Sequence, residues 1–523
     1  MPILQRGTLN ATALVVPDLY VQVVPPQNLV PNGVPTNVVG VVGTASWGPV
    51  NTPTIVGTMA DYARNFGPIM PRRFDMGTIV ATAVQQGAAD FRCVRVTDGT
   101  DTAAVCPLLP SGGSFAAALT ARYSGTLGNQ ITIDMRAAAQ AGAWRLTLSL
   151  PGKSPEVFDN IPGTPAAGFW PALVAAVNTG QGPLRGPSQY CVATLGSSTG
   201  APAALSGAYF QGGTDGASAV TPQNLVGFDG LPRRGLYALR GQGCSIIVLA
   251  DCDDAATWAS QAAFGLAEGA YMMLTGPAGD TILPAIAAKQ EAGVDSWAAK
   301  LMFGDWIYWS DQANGIIRLV SPQGFVAGRL SNLSPEQSSL NKPLYGVIGT
   351  QRSGGPGTGQ STTYSTAELA ALLGAGIDVI ANPQPGGAFW GVRGGHNTSS
   401  NAAVQGDNYT RLTNYIAATL AAGMGQYVGQ VINAELFRRV RATQMSFLQN
   451  LLGQGILGSA DGSLPFSVVC DISNNPLSRT SLGYVQSDAQ IQYQAINERF
   501  LVNVEGGQTV QVSRQTLPTG QIG

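Results

Sequence analysis

The chain has 523 residues, 45% of them apolar, which suffices for two to four domains with sizeable cores. Only 11% are Asp, Glu, Lys or Arg, against about 25% in a typical soluble domain, and 28 basic residues face 30 acidic ones for a net charge of −2. That balance excludes the clustered basic surface needed for nucleic acid or an anionic membrane, so neither is expected as a partner; it suits a subunit covered by its neighbours, or an enzyme whose surface is rich in Ser, Thr, Asn and Gln.

The opening "MPILQRGTLNATALVVPDLY" lacks the apolar core and cleavage site of a signal peptide, and no run reaches the ~18 apolar residues of a membrane span, so synthesis and residence in the cytoplasm are expected. The first thirty residues read as an arm: "LYVQVV", residues 19–24, alternates like a strand, and "PPQNLVPNGVP" then breaks regular structure. From residue 36 onward, buried β runs separated by Gly and Pro give way to a helix in "MGTIVATAVQQGA" and a strand in "DFRCVRVTDG", the texture of an α/β layer.

Residues 101–213 shift to Ala, Gly, Ser and Pro with short strands such as "NQITIDMR" and "WRLTLSLPG", which predicts an inserted, mostly β domain. The α/β pattern resumes with the buried strand "CSIIVLA", the helix "DDAATWASQAAFGLAE" and the strand "AYMMLTG". Two long helices follow. In the second, Phe437, Val440, Phe447, Leu448 and Leu451 recur at helical spacing behind Asn433 as a predicted N-cap. A strand in "FSVVCDIS" and a hairpin over residues 499–513, turning at Glu505-Gly506-Gly507, complete the chain.

The predicted fold is therefore α/β and α+β multidomain: a split α/β core with an inserted mostly-β domain and a C-terminal α+β domain, completed by extended terminal arms. The expected divisions are an arm at 1–30, α/β parts at 31–100 and 214–385, the insertion at 101–213, a C-terminal domain at 386–497 and an arm at 498–523.

Chemistry-bearing motifs are few. "GGPGTGQS", residues 354–361, fits the phosphate loop G-x-x-x-x-G-K-[ST] except that Gln360 replaces the lysine that neutralises β and γ phosphates, and "STAE" (365–368) starts the helix too late as a capping box. Asp251, Asp253 and Asp254 follow a strand end where magnesium would sit, but acids there also serve as ordinary helix N-terminal residues. Asp471 precedes an Asn-Asn-Pro turn. The six cysteines are scattered without a C-x-x-C pair and read as buried hydrophobes. His396, the only histidine, stands in "GGAFWGVRGGHNTSS" with no second histidine and no nucleophile motif; it reads as part of a structural turn without a chemical partner. No catalytic residue, cofactor or metal is expected.

"PGGAFWGVRGGHNTSS", followed by "NYIAATL", "FLQNLLGQGIL" and "VVCDISNNP", resembles the contractile tail sheath proteins of bacteriophages. The segments Gly43 to Pro49 (G-x-A-x-x-G-P) and Ala121 to Asn129 (A-x-x-x-G-x-x-G-N) resemble the same family, while Arg393-Gly394 departs from its usual Arg-Thr pair. The resemblance implies a non-enzymatic virion subunit, assembled in the host bacterial cytoplasm, that stacks as hexameric rings around a tail tube and contracts to drive it through a cell envelope. Implied partners are further copies of the chain, the tube protein, and baseplate and tail terminator proteins. It further implies arms that add strands to neighbours, with Leu19, Tyr20, Val21 and Val23 at one end and Phe500, Val502, Val504, Val510 and Val512 at the other, and it places the C-terminal domain nearest the tube, where Arg438 and Arg439 are candidate contacts. The alternatives are a P-loop-like NTPase or another self-assembling virion or surface-layer protein.

Overall fold

The computed structural model describes residues 33–110, 115–356, 358 and 362–504, together with the backbone of residues 3–4 and 21–22. It is a mixed α/β structure of several sheets. The largest has seven strands in the order Ile377–Asp378, Ala299–Met302, Tyr271–Thr275, Ile246–Leu249, Val39–Gly43, Phe91–Arg95 and Thr54–Val56. Every neighbouring pair is parallel except the last, in which Thr54–Val56 runs antiparallel along the edge.

Both faces of this sheet are covered, which is why its strands read as unbroken apolar runs. Val39, Val41, Phe91, Cys93, Ile246 and Val248 face the helices Met76–Gln85 and Gln323–Ser331. Val42, Val94, Ile247, Leu249, Met272 and Leu274 face Trp258–Glu268, Ile282–Glu291 and Thr366–Gly374 on the other side. Gly324 and Gly328 bring the first two helices into close contact: a Cβ on Gly328 would stand 2.5 Å from the Ala83 backbone.

Residues 103–209 build two antiparallel sheets, of four and three strands, around a separate apolar core. In strands such as Thr132–Ala137 and Glu156–Pro162 buried residues alternate with more exposed ones, as when one face is wet. A helix at Ala166–Thr179, which the sequence reading passes over, closes that core with Phe169, Trp170, Leu173 and Val177. Gly168 and Pro171 lower its intrinsic propensity, and burying those large side chains at about 1.5–3 kcal/mol each outweighs the loss. A further three-stranded antiparallel sheet, with Ile307–Asp311 between Ile316–Val320 and Val347–Thr350, is also absent from the sequence reading.

The chain enters and leaves the 103–209 region through one joint. Arg95, fully buried at the end of its strand, donates to the carbonyls of Gly48 (2.9 Å), Ser124 (2.7 Å) and Asp215 (3.1 Å). Burial pulls its guanidinium down to about 10, so it stays charged at neutral pH. Asp215 in turn accepts from Arg72 (2.5 Å) and the Thr126 amide (2.6 Å). Two of the segments with family resemblance meet here, Leu127 N donating to Ser46 O at 3.2 Å and Tyr123 standing edge-on to Trp47.

At the C-terminal end, the helices Asp407–Met424 and Ala434–Gly453 pack on a two-stranded antiparallel sheet, Phe466–Val469 with Asp488–Ile491. Leu412, Ile416, Phe447, Leu448, Leu451, Phe466 and Val468 form the shared core. Asn433 caps the second helix by accepting the Leu436 amide at 2.8 Å, and the apolar stripe predicted for that helix is buried throughout.

Candidate functional site

In an open α/β sheet, ligands bind where the strand order reverses, outside the carboxyl ends of the strands. That crevice lies between Val39–Gly43 and Ile246–Leu249, and here the chain fills it with its own backbone. Thr44 N donates to Phe74 O (2.7 Å), Met76 N to Thr44 O (3.0 Å) and Phe74 N to the Asp251 carboxylate (3.2 Å), with Phe74 held at φ +61°. Arg73 neutralises Asp253 at 2.5 Å, and Asp254 caps the turn at Ala256 (3.0 Å). The three aspartates thus serve a plug and a cap. Among the described residues no group of three or more His, Cys, Asp or Glu is placed to hold a metal ion, and no helix is long and apolar enough to cross a membrane.

The glycine-rich loop fails as a phosphate cradle on connectivity. Its preceding strand, Val347–Thr350, is an edge of the three-stranded antiparallel sheet, and the following helix starts at Thr366, where Ser365 and Glu368 form the capping box expected from the sequence. Gln360 lies outside the described residues. The cysteines are free and buried, and burial pushes the Cys252 and Cys244 thiols up to about 11 and 12, far from a nucleophile's range.

What the "GVRGGH" stretch does build is a buried charge network. Lys300, inside the seven-stranded sheet and wholly buried, contacts Asp378 at 2.6 Å and Asp407 at 3.1 Å and donates to the His396 carbonyl at 3.0 Å. Asp378 also accepts the amides of Val379, Gly394, Gly395 and His396. Asp407, first residue of its helix, accepts from the Tyr271 hydroxyl at 2.6 Å and from the Ser339 amide and hydroxyl. Gly395 is required: its φ is +69°, and a Cβ there would stand 2.2 Å from Ser338 Oγ. Burial works against the Lys300 charge, yet the two carboxylates outweigh it and hold the ammonium above the ordinary lysine range. Burial likewise pushes Asp407 up, and Lys300 with the Ser339 and Tyr271 bonds brings it below the usual carboxylate range. The network ties the sheet to the C-terminal helices. The sequence reading missed Lys300, although a lone lysine inside the apolar run "AAKLMFG" signals buried carboxylate partners.

His396 does have a partner, which corrects the sequence reading. Its Nε2 lies 2.8 Å from Glu498 Oε1, at the root of the C-terminal segment. That segment is laid along the Asp407–Met424 helix: Tyr493 contacts the Thr413 hydroxyl (3.2 Å) and the Tyr409 ring, and Gln494 O accepts from Asn408 (3.1 Å). A cleft of about 640 Å³, walled by Tyr409, Ile491, Tyr493 and Ile496, lies alongside. The N-terminal side is rooted on the same helix, with Val34 N donating to Thr419 Oγ1 at 3.1 Å and Gly33 packed against Tyr415.

Beyond Glu498, residues 499–504 are without regular secondary structure, and Phe500, Val502 and Val504 are exposed by 62–85%. Val510 and Val512, the second half of the expected hairpin, lie outside the described residues, as do Leu19, Tyr20 and Val23. Val21 is described as backbone only, in a two-residue parallel pair with Ile3–Leu4. Arg438 is exposed and paired with Glu435 at 2.5 Å, while Arg439 donates to Gln430 (3.2 Å) and stands over the Tyr427 ring; Val428 and Val431 lie exposed in the preceding loop.

No family model matches the chain, and no curated protein sequence does. Solved structures do. A sheath tail protein from Desulfitobacterium hafniense aligns over 86% of this chain and 93% of its own, with a TM-score of 0.58 at 17% identity. One from Listeria innocua aligns over 84% and 89%, with a TM-score of 0.59 at 15% identity. The chain has the tail-sheath fold. The sheath complex of an extracellular contractile injection system in its contracted state shares that fold over 95% of this chain and 98% of its own, with a TM-score of 0.54 at 13% identity.

Proposed function

We propose that the chain is the structural subunit of a contractile tail sheath, stacking as hexameric rings around a tail tube and contracting to drive the tube through the host envelope for genome delivery. The carrying observation is the C-terminal sheet. Phe466–Val469 and Asp488–Ile491 pair with each other and, among the described residues, with nothing else, so each presents an open edge beside the helix from which both terminal segments depart. Open edges accept strands, and main-chain bonds of about 0.5–1.5 kcal/mol each hold while domains rotate. The arms at 1–30 and 498–523 are the strands offered to neighbours, the core at 31–100 and 214–385 with the insertion at 101–213 forms the outer body, and residues 386–497 form the polymerising domain.

The partners on this reading are copies of the chain, the tube, and the baseplate and terminator proteins at the tail ends, in a virion tail built in the bacterial cytoplasm. Arg438 and Arg439, on a solvent-facing helix surface, are the cations offered to the tube. The filled switch-point crevice supports a role without chemistry. Negative-stain microscopy of the purified chain with its tube protein tests the reading: cross-striated hollow tubes are expected, and discrete particles or flat sheets under all conditions overturn it. Deleting residues 497–523 is expected to leave a folded monomer by sedimentation and circular dichroism; normal tubes from that variant exclude a role for the arm.

A further inference from the structure

Among the described residues, the only histidine of the chain makes the last charged contact along the C-terminal segment. Upstream, residues 492–494 are bonded through Pro465 O, Thr413 and Asn408; downstream, among the described residues, 499–504 make no hydrogen bond and expose their apolar side chains. The His396 backbone is fixed on both sides, its amide to Asp378 and its carbonyl to Lys300, so the ring is presented from a rigid base. Glu498 comes from a strand of chain with no such fixation.

We propose that the His396–Glu498 contact is a proton-operated latch that holds the root of the C-terminal segment against the body when the imidazole is charged and loosens when it is neutral. The ring meets Glu498 at 2.8 Å, the His396 backbone below it is bonded to Asp378 and Lys300, and Arg499 follows Glu498 in the chain. Between pH 5 and 8 imidazole is the side chain that ordinarily changes charge. With the imidazole protonated the contact is an ion pair; with it neutral the contact is a hydrogen bond, weaker by a modest factor because the pair is partly exposed. The latch itself is independent of the sheath reading. Its consequence, that arms are freed for strand exchange as pH rises, depends on that reading.

Limited trypsin digestion of the full chain tests the latch without any assembly. Arg499 immediately follows Glu498, and Arg514 lies farther along the same segment, so the ratio of their initial cleavage rates, read by mass spectrometry, removes the protease's own pH dependence. The native chain is expected to raise its Arg499/Arg514 ratio by about threefold between pH 6 and pH 8. Glu498→Gln keeps a hydrogen-bonding side chain but no charge, and its ratio is expected to stay flat with pH. His396→Ala is expected to give a high, flat ratio, with its melting transition checked alongside. A native ratio that does not move with pH, or a slope that survives Glu498→Gln, overturns the proposal.

Discussion

Two joints in this molecule do opposite jobs with the same kind of chemistry. At the entrance to residues 103–209, one buried guanidinium satisfies three carbonyls from three separate segments, and Asp215 adds an ion pair and two further bonds. At the root of the C-terminal segment, a half-exposed carboxylate meets one imidazole at the protein surface. Charge buried among many partners welds, because losing any one partner strands a charge out of water; charge shared between two partners near solvent only tethers, because water replaces either.

The sharpest way to break that contrast is Arg95→Met. It leaves the carbonyls of Gly48, Ser124 and Asp215 without their donor and is expected to cost about 3–5 kcal/mol in denaturant unfolding. Hydrogen exchange should show protection falling first in residues 96–128 and 211–216, with the strands of the seven-stranded sheet less affected. Equal loss throughout would show that the joint is no separate unit.

A second test uses pH. Asp75, the buried N-cap of the helix Met76–Gln85, is pushed up to about 7 by burial, against the pull of its Thr78 hydrogen bonds and the Arg72 charge. The folded chain therefore keeps a proton up to about pH 7 that an unfolded aspartate loses near 4, so the stability contributed at low pH is lost as pH climbs through that window. The expected fall is of order 2–4 kcal/mol between pH 4 and pH 7.5, and Asp75→Asn should flatten it. The least disturbing change should be removal of residues 499–523: unfolding of the body is expected to shift by no more than about 0.5 kcal/mol, because among the described residues that stretch makes no hydrogen bond. A larger shift would mean that the segment packs on its own subunit.

The welded parts were the less legible ones. Asn433 and Ser365 announce helix starts because a cap and its amide lie three residues apart, and "CSIIVLA" reads as a strand because burial on both faces leaves a continuous apolar run. Lys300, Asp378 and Asp407 come together only through sheet order and the return of the chain, 78 and 107 residues apart, which local periodicity does not encode. Arg95 looked like an ordinary strand end for the same reason. His396 drew attention through its glycine neighbours, but its partner stands 102 residues away.

The helix Asp407–Met424 carries both ends of the described chain, Gln494 against Asn408 and Val34 against Thr419, about 16 Å apart along one axis. The N-terminal segment runs on from Val34 into the strand Val39–Gly43 and the C-terminal segment leaves from the strand Asp488–Ile491, so a pull between the two ends is shared by those strands and by the one helix that both segments grip. The 103–209 region hangs off that line of force. Its loops can lengthen, shorten or change their surface without altering how tension passes from one end of the chain to the other.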